Sequence, residues 1–314
     1  MNKGVSLVRN RILGRFDGEE RGPLLLAIGG MHGNEPAGVL AIERLLEMLA
    51  FERVNRPEFM YRGRFVGLIG NKQALSKGRR FLREDLNRFF NPERVAALNP
   101  ADDLIEEDAE AYELINAIRT EIADYQPSHV VLIDLHTTTA DGGVFSIVND
   151  SPAARAIALD LRAPVILGML EGISGTSLHY FNTKNLGTEA VCLVFESGQH
   201  DDPLSVDRAV SALIKTMRSI GAVHPRDVEG HHDEILRAST EHLPDLVRFA
   251  LNHGISPADQ FVMRPGYLNF DPIKKGEHLA DDINGPVLSP RDGLILMPLY
   301  QKQGDDGFFV VDEL

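Results

Sequence analysis

Three segments of the sequence contain residues whose side chains can bind a metal ion or carry a proton. His32 and Glu35 lie three residues apart in a glycine-rich segment, and His136 and Glu196 each follow a separate apolar run. Two imidazoles and one carboxylate are a known ligand set for catalytic zinc, with a fourth position left to water. Nitrogen and oxygen ligands without a thiolate also suit zinc. The combination predicts a zinc site with Glu196 beside it.

The chemistry that this set predicts is hydrolysis. Zinc lowers the pKa of water to roughly 7, and Glu196 can take the proton and pass it to a leaving amine. Each motif is weak alone, because a lone histidine after a strand is usually a satisfied polar residue. The glycine-rich segment 29–38 also suggests a phosphate cradle at a helix N-terminus, but it lacks both the G-x-G-x-x-G and the Walker patterns. Only the joint pattern favours a metal site.

The elements that must position these residues alternate along the first two thirds of the chain. Helices are predicted from Pro36, over 102–121, over 151–161, and over 205–220 with Ser205 as a cap. Apolar runs predict strands at 24–28, 64–69, 130–135, 143–148 and 190–195. This alternation predicts an α/β fold with a parallel or mixed sheet. In such sheets, sites form outside the carboxyl ends of the strands, where the candidate residues lie.

The pattern changes after about residue 222. Gly and Pro then recur between short apolar stretches at 261–263, 287–288, 294–297 and 308–311. These stretches predict a set of short strands. We therefore predict a catalytic domain over residues 1–222 and a smaller β-rich domain over residues 223–314 that shapes the substrate pocket.

Composition limits the possible partners and location. The chain has 314 residues and a formal net charge of -14, which would repel nucleic acid. Its longest apolar runs are too short to span a bilayer, and the N-terminus lacks the apolar stretch of a signal peptide. The single cysteine, Cys192, lies in an apolar run and is expected to be buried. We predict a cytoplasmic protein with no nucleic-acid or membrane partner.

The motifs, taken together, resemble the succinylglutamate desuccinylase/aspartoacylase family, which is related to zinc carboxypeptidases. The resemblance rests on Gly-Met-His-Gly-Asn-Glu (30–35), Gly-Asn (70–71), Arg-Phe-Leu-Arg-Glu-Asp-Leu-Asn-Arg (80–88), Asp-Leu-His-Thr-Thr (134–138) and Phe-Glu-Ser-Gly (195–198). It implies a zinc-carboxypeptidase-like mixed sheet sandwiched by helices. It also implies that His32, Glu35 and His136 bind one zinc ion per chain and that Glu196 is the general base.

The resemblance implies further roles in the basic segment 80–88. Arg80 would polarise the scissile carbonyl, Asn87 and Arg88 would bind a substrate carboxylate, and Asp85 would orient its neighbours. Tyr300 corresponds to a tyrosine that reaches the substrate from the C-terminal part.

Physical chemistry supports a substrate-binding role for this segment independently. It is a dense positive cluster in an acidic chain, and a guanidinium binds carboxylate through two parallel hydrogen bonds. Taken alone, the segment is also typical of a solvated basic helix face. One feature departs from the family: Lys184 and Glu189 occupy the stretch where a further substrate-binding arginine is expected.

The predicted function is zinc-dependent hydrolysis of the amide bond of a small anionic N-acyl amino acid. A zinc carboxypeptidase acting on peptides shares the metal set and remains an alternative. A non-catalytic zinc- or ligand-binding protein is a second alternative, although zinc binding alone does not require Glu196. A homodimer is possible for an α/β enzyme of this size.

Overall fold

The computed structural model describes residues 10–149, 151–228 and 230–314. The prediction that the N-terminus lacks a signal peptide falls on residues 1–9, outside the described residues. Within the described ranges there are fourteen strands: β1 (Ile12–Asp17), β2 (Glu20–Gly29), β3 (Arg62–Ile69), β4 (Val130–Thr138), β5 (Phe145–Val148), β6 (Val165–Leu167), β7 (Ala190–Gln199), β8 (Leu246–Gly254), β9 (Val262–Met263), β10 (Pro272–Ile273), β11 (His278–Asp282), β12 (Gly285–Leu288), β13 (Gly293–Leu296) and β14 (Asp306–Glu313).

The same ranges contain nine α-helices: α1 (Ala37–Asn55), α2 (Lys72–Lys77), α3 (Pro92–Ala96), α4 (Glu106–Tyr125), α5 (Pro152–Asp160), α6 (Ser177–Tyr180), α7 (Thr183–Leu186), α8 (Ser205–Ser219) and α9 (His231–Ala238). Short 3-10 helices connect several of them: Leu86–Arg88, Met169–Glu171, Pro225–Asp227 and Pro257–Asp259.

Eleven of the described strands form one mixed sheet in the order β1-β3-β2-β4-β7-β5-β6-β8-β14-β13-β10. Strands β3, β2, β4 and β7 are parallel to one another, so their carboxyl ends meet at one edge. Strand β5 then pairs antiparallel to β7, and β6 and β8 continue parallel to β5. A separate antiparallel sheet contains β12, β11 and β9.

The central strands are buried on both faces. In β2, Leu25 packs in a core with α1 and α8, whereas the next residue, Leu26, packs in a second core with α4. Side chains alternate between the two faces of a strand, so a continuous apolar run supplies both cores. The result is a helix-sheet-helix sandwich, and the predicted mixed α/β fold is confirmed.

Two predicted helix starts differ in detail. The predicted helix 102–121 begins only at Glu106. Before it, the backbone forms a turn in which Asn99 accepts hydrogen bonds from the amides of Ala101 and Asp102. The predicted cap Ser205 is instead the first residue of α8, and its hydroxyl donates to the carbonyl of Gln199.

The C-terminal part continues the large sheet through β8 and β14 and adds the small β-rich sheet. A third cluster of buried apolar residues lies in this part, around Ile273, Leu279 and Phe308. The predicted domain division between residues 222 and 223 stays a prediction. Among the described residues, no helix is long and apolar enough to cross a membrane.

Candidate active site

The candidate residues lie at the shared edge of the parallel strands. His32 and Glu35 occupy the turn between β2 and α1, and His136 lies near the end of β4. Close packing fixes this turn, since a Cβ atom at Gly29 would meet the backbone carbon of Gly38 at 2.5 Å. In the register of β4 and β7, His136 is paired directly with Glu196. The sheet therefore brings three distant segments to one point.

His32, Glu35 and His136 form a buried cluster in which one possible ligand atom from each lies within 4.8 Å of the others. The Glu35 carboxylate lies between the two imidazoles: Oε1 is 2.8 Å from His32 Nδ1, and Oε2 is 3.1 Å from His136 Nδ1. The backbone amide of Thr137 also donates to Oε2, at 2.9 Å. These contacts hold three possible ligand atoms close enough together to bind one metal ion.

The opposite nitrogen of each imidazole faces a second carboxylate. His32 Nε2 lies 3.0 Å from Asp85 Oδ1, and His136 Nε2 lies 3.2 Å from Asp134 Oδ2. Metal-ligating histidines commonly have such a carboxylate on the outer nitrogen, which fixes the tautomer and orients the ring. If both outer nitrogens carry the proton, two Nδ1 lone pairs face the Glu35 carboxylate. A divalent cation between them would relieve that repulsion, as protonation of the imidazoles does when no metal is bound, so the donor set fits a divalent metal.

The charges of this cluster shift the pKa values of its carboxyl groups. Burial raises the pKa of Glu35, but the two imidazoles outweigh burial and hold it well below its usual range. Burial likewise opposes ionisation of Asp85, while His32 and Arg80 lower its pKa well below the ordinary value. Both groups are therefore carboxylates at neutral pH, the form that can ligate a metal or orient a ligand.

Glu196 has a different environment. It is buried, and its Oε2 has no hydrogen-bond partner among the described residues. Burial raises its pKa to about 8, with His136 opposing the shift and Glu35 adding to it. A carboxyl group poised near neutral pH is suited to exchange protons with a reacting group.

Arg80 lies beside His32, Glu35 and His136, the group of possible ligands that we term the metal cluster. Its Nη2 donates to Asp85 Oδ2 at 2.8 Å, and its Nη1 lies 3.5 Å from Glu35 Oε1. Asp85 thus contacts both His32 and Arg80, and its orienting role stays a prediction. The buried Glu107 fixes the backbone of the segment that carries Arg80, because its carboxylate accepts from the amides of Leu82 and Arg83.

Asn87 and Arg88 lie in the 3-10 helix at the end of the same segment. The Asn87 side-chain oxygen accepts from the amide of Ser177, so its NH₂ group is the part left for a ligand. Arg88 donates through Nη1 to the Asn87 carbonyl, at 2.8 Å, and through Nη2 to Asp306 of β14.

Tyr300 lies apart from this group. Its hydroxyl is bonded to the backbone of Arg264 and Tyr267, and its side chain is 39% exposed. It does not line the cavity that contains the metal cluster within the described part of the chain. Its expected contact with substrate stays a prediction.

The cavity joins the candidate residues to a largely apolar wall. His32, Glu35, His136, Glu196, Arg80, Asn87 and Arg88 line it, together with Ile147, Ile173, Leu178, Val194, Met297, Leu299 and Phe309. Part of this wall comes from the C-terminal region, in line with the expectation that this region shapes the pocket. Apolar walls with a few convergent polar groups are typical of sites that bind a small molecule.

Sequence reasoning assigned no role to three residues of the site. Asp134 precedes His136 by two positions, and residues at i and i+2 of a strand share a face, so the spacing contained the signal. His200 lines the cavity, with Nδ1 2.7 Å from the Thr137 hydroxyl and a buried Nε2 without a partner in the described residues. No pattern in the sequence pointed to His200 or to Asp306.

Comparison with known proteins gives a consistent result. The model of the succinylglutamate desuccinylase/aspartoacylase catalytic domain matches residues 21–219, more than half of the chain. A probable aspartoacylase of Nostoc sp. is 30% identical over 123 residues, which span 39% of this chain and only 38% of that protein. The succinylglutamate desuccinylase of Pseudomonas putida is 27% identical over 275 residues, or 82% of this chain and 73% of that protein.

A solved structure shows the same fold. The crystal structure of a succinylglutamate desuccinylase/aspartoacylase from Rhodobacter sphaeroides superposes with a TM-score of 0.63 at 19% identity. The match covers 94% of this chain and 87% of that one. The similarity therefore extends beyond the catalytic-domain match into the C-terminal region.

Proposed function

Because the chain belongs to the succinylglutamate desuccinylase/aspartoacylase family, we propose that it hydrolyses the amide bond of small N-acyl amino acids with zinc as its cofactor. The observation that carries this proposal is the buried cluster of two imidazoles and one carboxylate with Glu196 and Arg80 in the same cavity. The products are a carboxylic acid and a free amino acid.

His32, Glu35 and His136 would hold one zinc ion per chain, with Asp85 and Asp134 fixing the two imidazoles. When bound, zinc supplies a Lewis acid for the scissile carbonyl and lowers the pKa of water at the site. Catalytic zinc sites commonly have three protein ligands, the number that this cluster would supply.

Glu196 is the proton carrier of the proposed reaction. Its carboxylate takes a proton from the attacking water, and the resulting acid donates that proton to the leaving amine nitrogen. The buried Oε2, which has no hydrogen-bond partner among the described residues, is the atom that would hold the proton.

Arg80 and Asn87-Arg88 serve binding and charge stabilisation. Arg80 lies against the metal cluster, where its guanidinium would stabilise the oxyanion as the carbonyl carbon becomes tetrahedral. The Asn87 amide and the Arg88 guanidinium would bind the substrate carboxylate and hold the amide bond over the metal cluster.

The test is release of amine from a panel of N-acyl amino acids and short peptides by the zinc-loaded protein, with and without a chelator. We expect chelator-sensitive cleavage of N-acyl amino acids. Preferential release of C-terminal residues from peptides would instead indicate a carboxypeptidase.

The matched variant is Glu196→Gln, which keeps the shape of the side chain but cannot exchange the proton. We expect it to retain zinc and to lose turnover by at least about 100-fold, the usual contribution of a general acid-base group. Zinc binding with no cleavage of any substrate by the wild-type protein would favour a non-catalytic binding protein and would contradict the role of Glu196.

A further inference from the structure

An ion pair between Arg88 and Asp306 forms part of the cavity wall. Arg88 of the 3-10 helix donates to Asp306 Oδ2 of β14, and both residues line the cavity. Their side chains are 25% and 15% exposed, so each keeps a face open to a ligand. The pair joins the segment that carries Arg80 to the C-terminal region.

Both partners retain unused hydrogen-bonding capacity. A guanidinium has five N–H donors, and the contacts of Arg88 with the Asn87 carbonyl and Asp306 use two of them. Asp306 accepts once from Arg88 and once, at Oδ1, from Asn252 Nδ2 at 2.7 Å. Two carboxylate oxygens offer about four acceptor positions, so Asp306 can still accept from a ligand.

The charges at the Arg88 end of the cavity disfavour a ligand group that is only anionic. Arg80 and Arg88 are the arginine and lysine side chains that line it within the described residues, and each already faces a carboxylate. A carboxylate bound to Arg88 would lie beside the negative charge of Asp306. A ligand with an ammonium group next to its carboxylate satisfies both members of the pair.

We propose that the natural substrate is an N-acylated diamino acid, whose carboxylate binds Arg88 and whose free ammonium group binds Asp306. This inference rests on the proposed function, since it names the substrate class of the same site. Asp306 is then a specificity-determining residue. The substrate is zwitterionic at this end, rather than the simple anion expected from the basic segment alone.

The absence of a further cavity-lining cation agrees with this substrate class. Lys184 lies in α7 and Glu189 precedes β7, and neither lines the cavity. An N-acyl dicarboxylic amino acid brings at least one further carboxylate, and no lysine or arginine besides Arg80 and Arg88 lines the cavity within the described residues. A diamino acid needs one cation and one anion, which Arg88 and Asp306 provide.

The experiment compares Nα-acetylornithine with Nα-acetylnorleucine, in which a methyl group replaces the ammonium group; Nδ-acetylornithine is the third substrate. Using zinc-loaded wild-type protein, we expect kcat/KM for an acetylornithine isomer to exceed that for acetylnorleucine by at least about tenfold, as for a charge-assisted contact. Asp306→Asn should reduce this ratio to near one. Asp103→Asn removes the same charge from an exposed residue outside the cavity lining and should leave the ratio unchanged.

Calorimetric binding of ornithine and norleucine to the same three zinc-loaded proteins separates this inference from the proposed function. If no amide is cleaved but wild-type protein binds ornithine selectively and Asp306→Asn does not, the proposed function fails, and only the pairing of Arg88 and Asp306 with a zwitterionic ligand stands. Cleavage with equal or better use of acetylnorleucine overturns the inference and leaves the proposed function intact. An unchanged ratio in Asp306→Asn likewise overturns the role of Asp306.

Discussion

Each imidazole of the metal cluster lies between two carboxylates, one shared and one of its own. Glu35 bridges the inner nitrogens, while Asp85 and Asp134 face the outer ones. Asp134 is fully buried and also accepts from the Ser177 hydroxyl at 2.7 Å, so its carboxylate is fixed in place. The orientation of His136 therefore depends on a residue that is not itself a ligand.

The first prediction concerns this outer carboxylate. Asp134→Asn keeps the size of the side chain but removes the charge that increases the basicity of His136. We expect the zinc affinity to fall by roughly 10- to 100-fold, the usual cost of losing such a partner. Competition with a chromophoric chelator measures the dissociation constant directly.

The matched control is Asp103→Asn, which changes an exposed aspartate in the segment before α4. It should bind zinc as tightly as the wild-type protein. Equal zinc affinity for Asp134→Asn would mean that the contact of Asp134 with His136 does not orient a metal ligand.

At the residue scale, the sequence predicted some residues of the site and not others. His32, Glu35, His136 and Glu196 were identifiable because strand ends in an α/β sheet converge, and the structure brings all four into one cavity. The pairing of Arg88 with Asp306 joins positions 218 residues apart. Only the tertiary fold sets such a contact, so no spacing in a single sequence reveals it.

At the scale of elements, helix α4 supports the segment 80–88 through hydrogen bonds to its backbone. Glu107 in its first turn is fully buried and accepts from the amides of Leu82 and Arg83, at 2.8 and 3.0 Å, and from Asn71 Nδ2 at 3.1 Å. The first two of these hydrogen bonds satisfy the backbone amides of residues that belong to no helix or strand. One carboxylate thereby fixes the backbone that carries Arg80.

The second prediction is that Glu107→Gln disturbs the site without touching it. One acceptor oxygen becomes an NH₂ donor that faces a backbone N–H, so at least one charge-assisted bond is lost. We expect unfolding free energy to fall by about 2 kcal/mol. We also expect kcat/KM to fall by roughly tenfold or more, because small displacements of positioned groups are costly. Urea denaturation and steady-state kinetics measure the two effects.

The comparison variant is Glu93→Gln, which removes the charge of an exposed glutamate in α3. Its stability should stay within about 0.5 kcal/mol of the wild-type value. If Glu107→Gln matched this control in both measurements, the segment 80–88 would be held by other contacts.

Elements themselves were predictable where the pattern was long and regular. The strand at 130–135 and the helix at 205–220 appear as β4 and α8, since continuous burial and helical periodicity are local signals. Strand β8 was not predicted, because its residues are only partly buried and lack strong alternation. The antiparallel insertion of β5 beside β7 was equally unpredictable, since strand order depends on long-range pairing.

Over the whole molecule, the metal cluster connects parts that are distant in sequence. His32 and Glu35 precede α1, His136 lies near the end of β4, and Asp85 belongs to the loop held by α4. In the metal-free state, the buried carboxylates and imidazoles of this region depend on one another for charge compensation. A bound cation would strengthen contacts among all of these elements together.

The last prediction is therefore that zinc stabilises the whole fold. A ligand that binds only the native state adds about 4 kcal/mol at a free concentration a thousand times its dissociation constant. Differential scanning calorimetry should show a midpoint several degrees higher with zinc than with a chelator. His32→Ala should abolish this difference, whereas His242→Ala, which removes an exposed imidazole, should preserve it. An equal response of both variants to zinc would place the stabilising metal elsewhere and contradict the assigned ligand set.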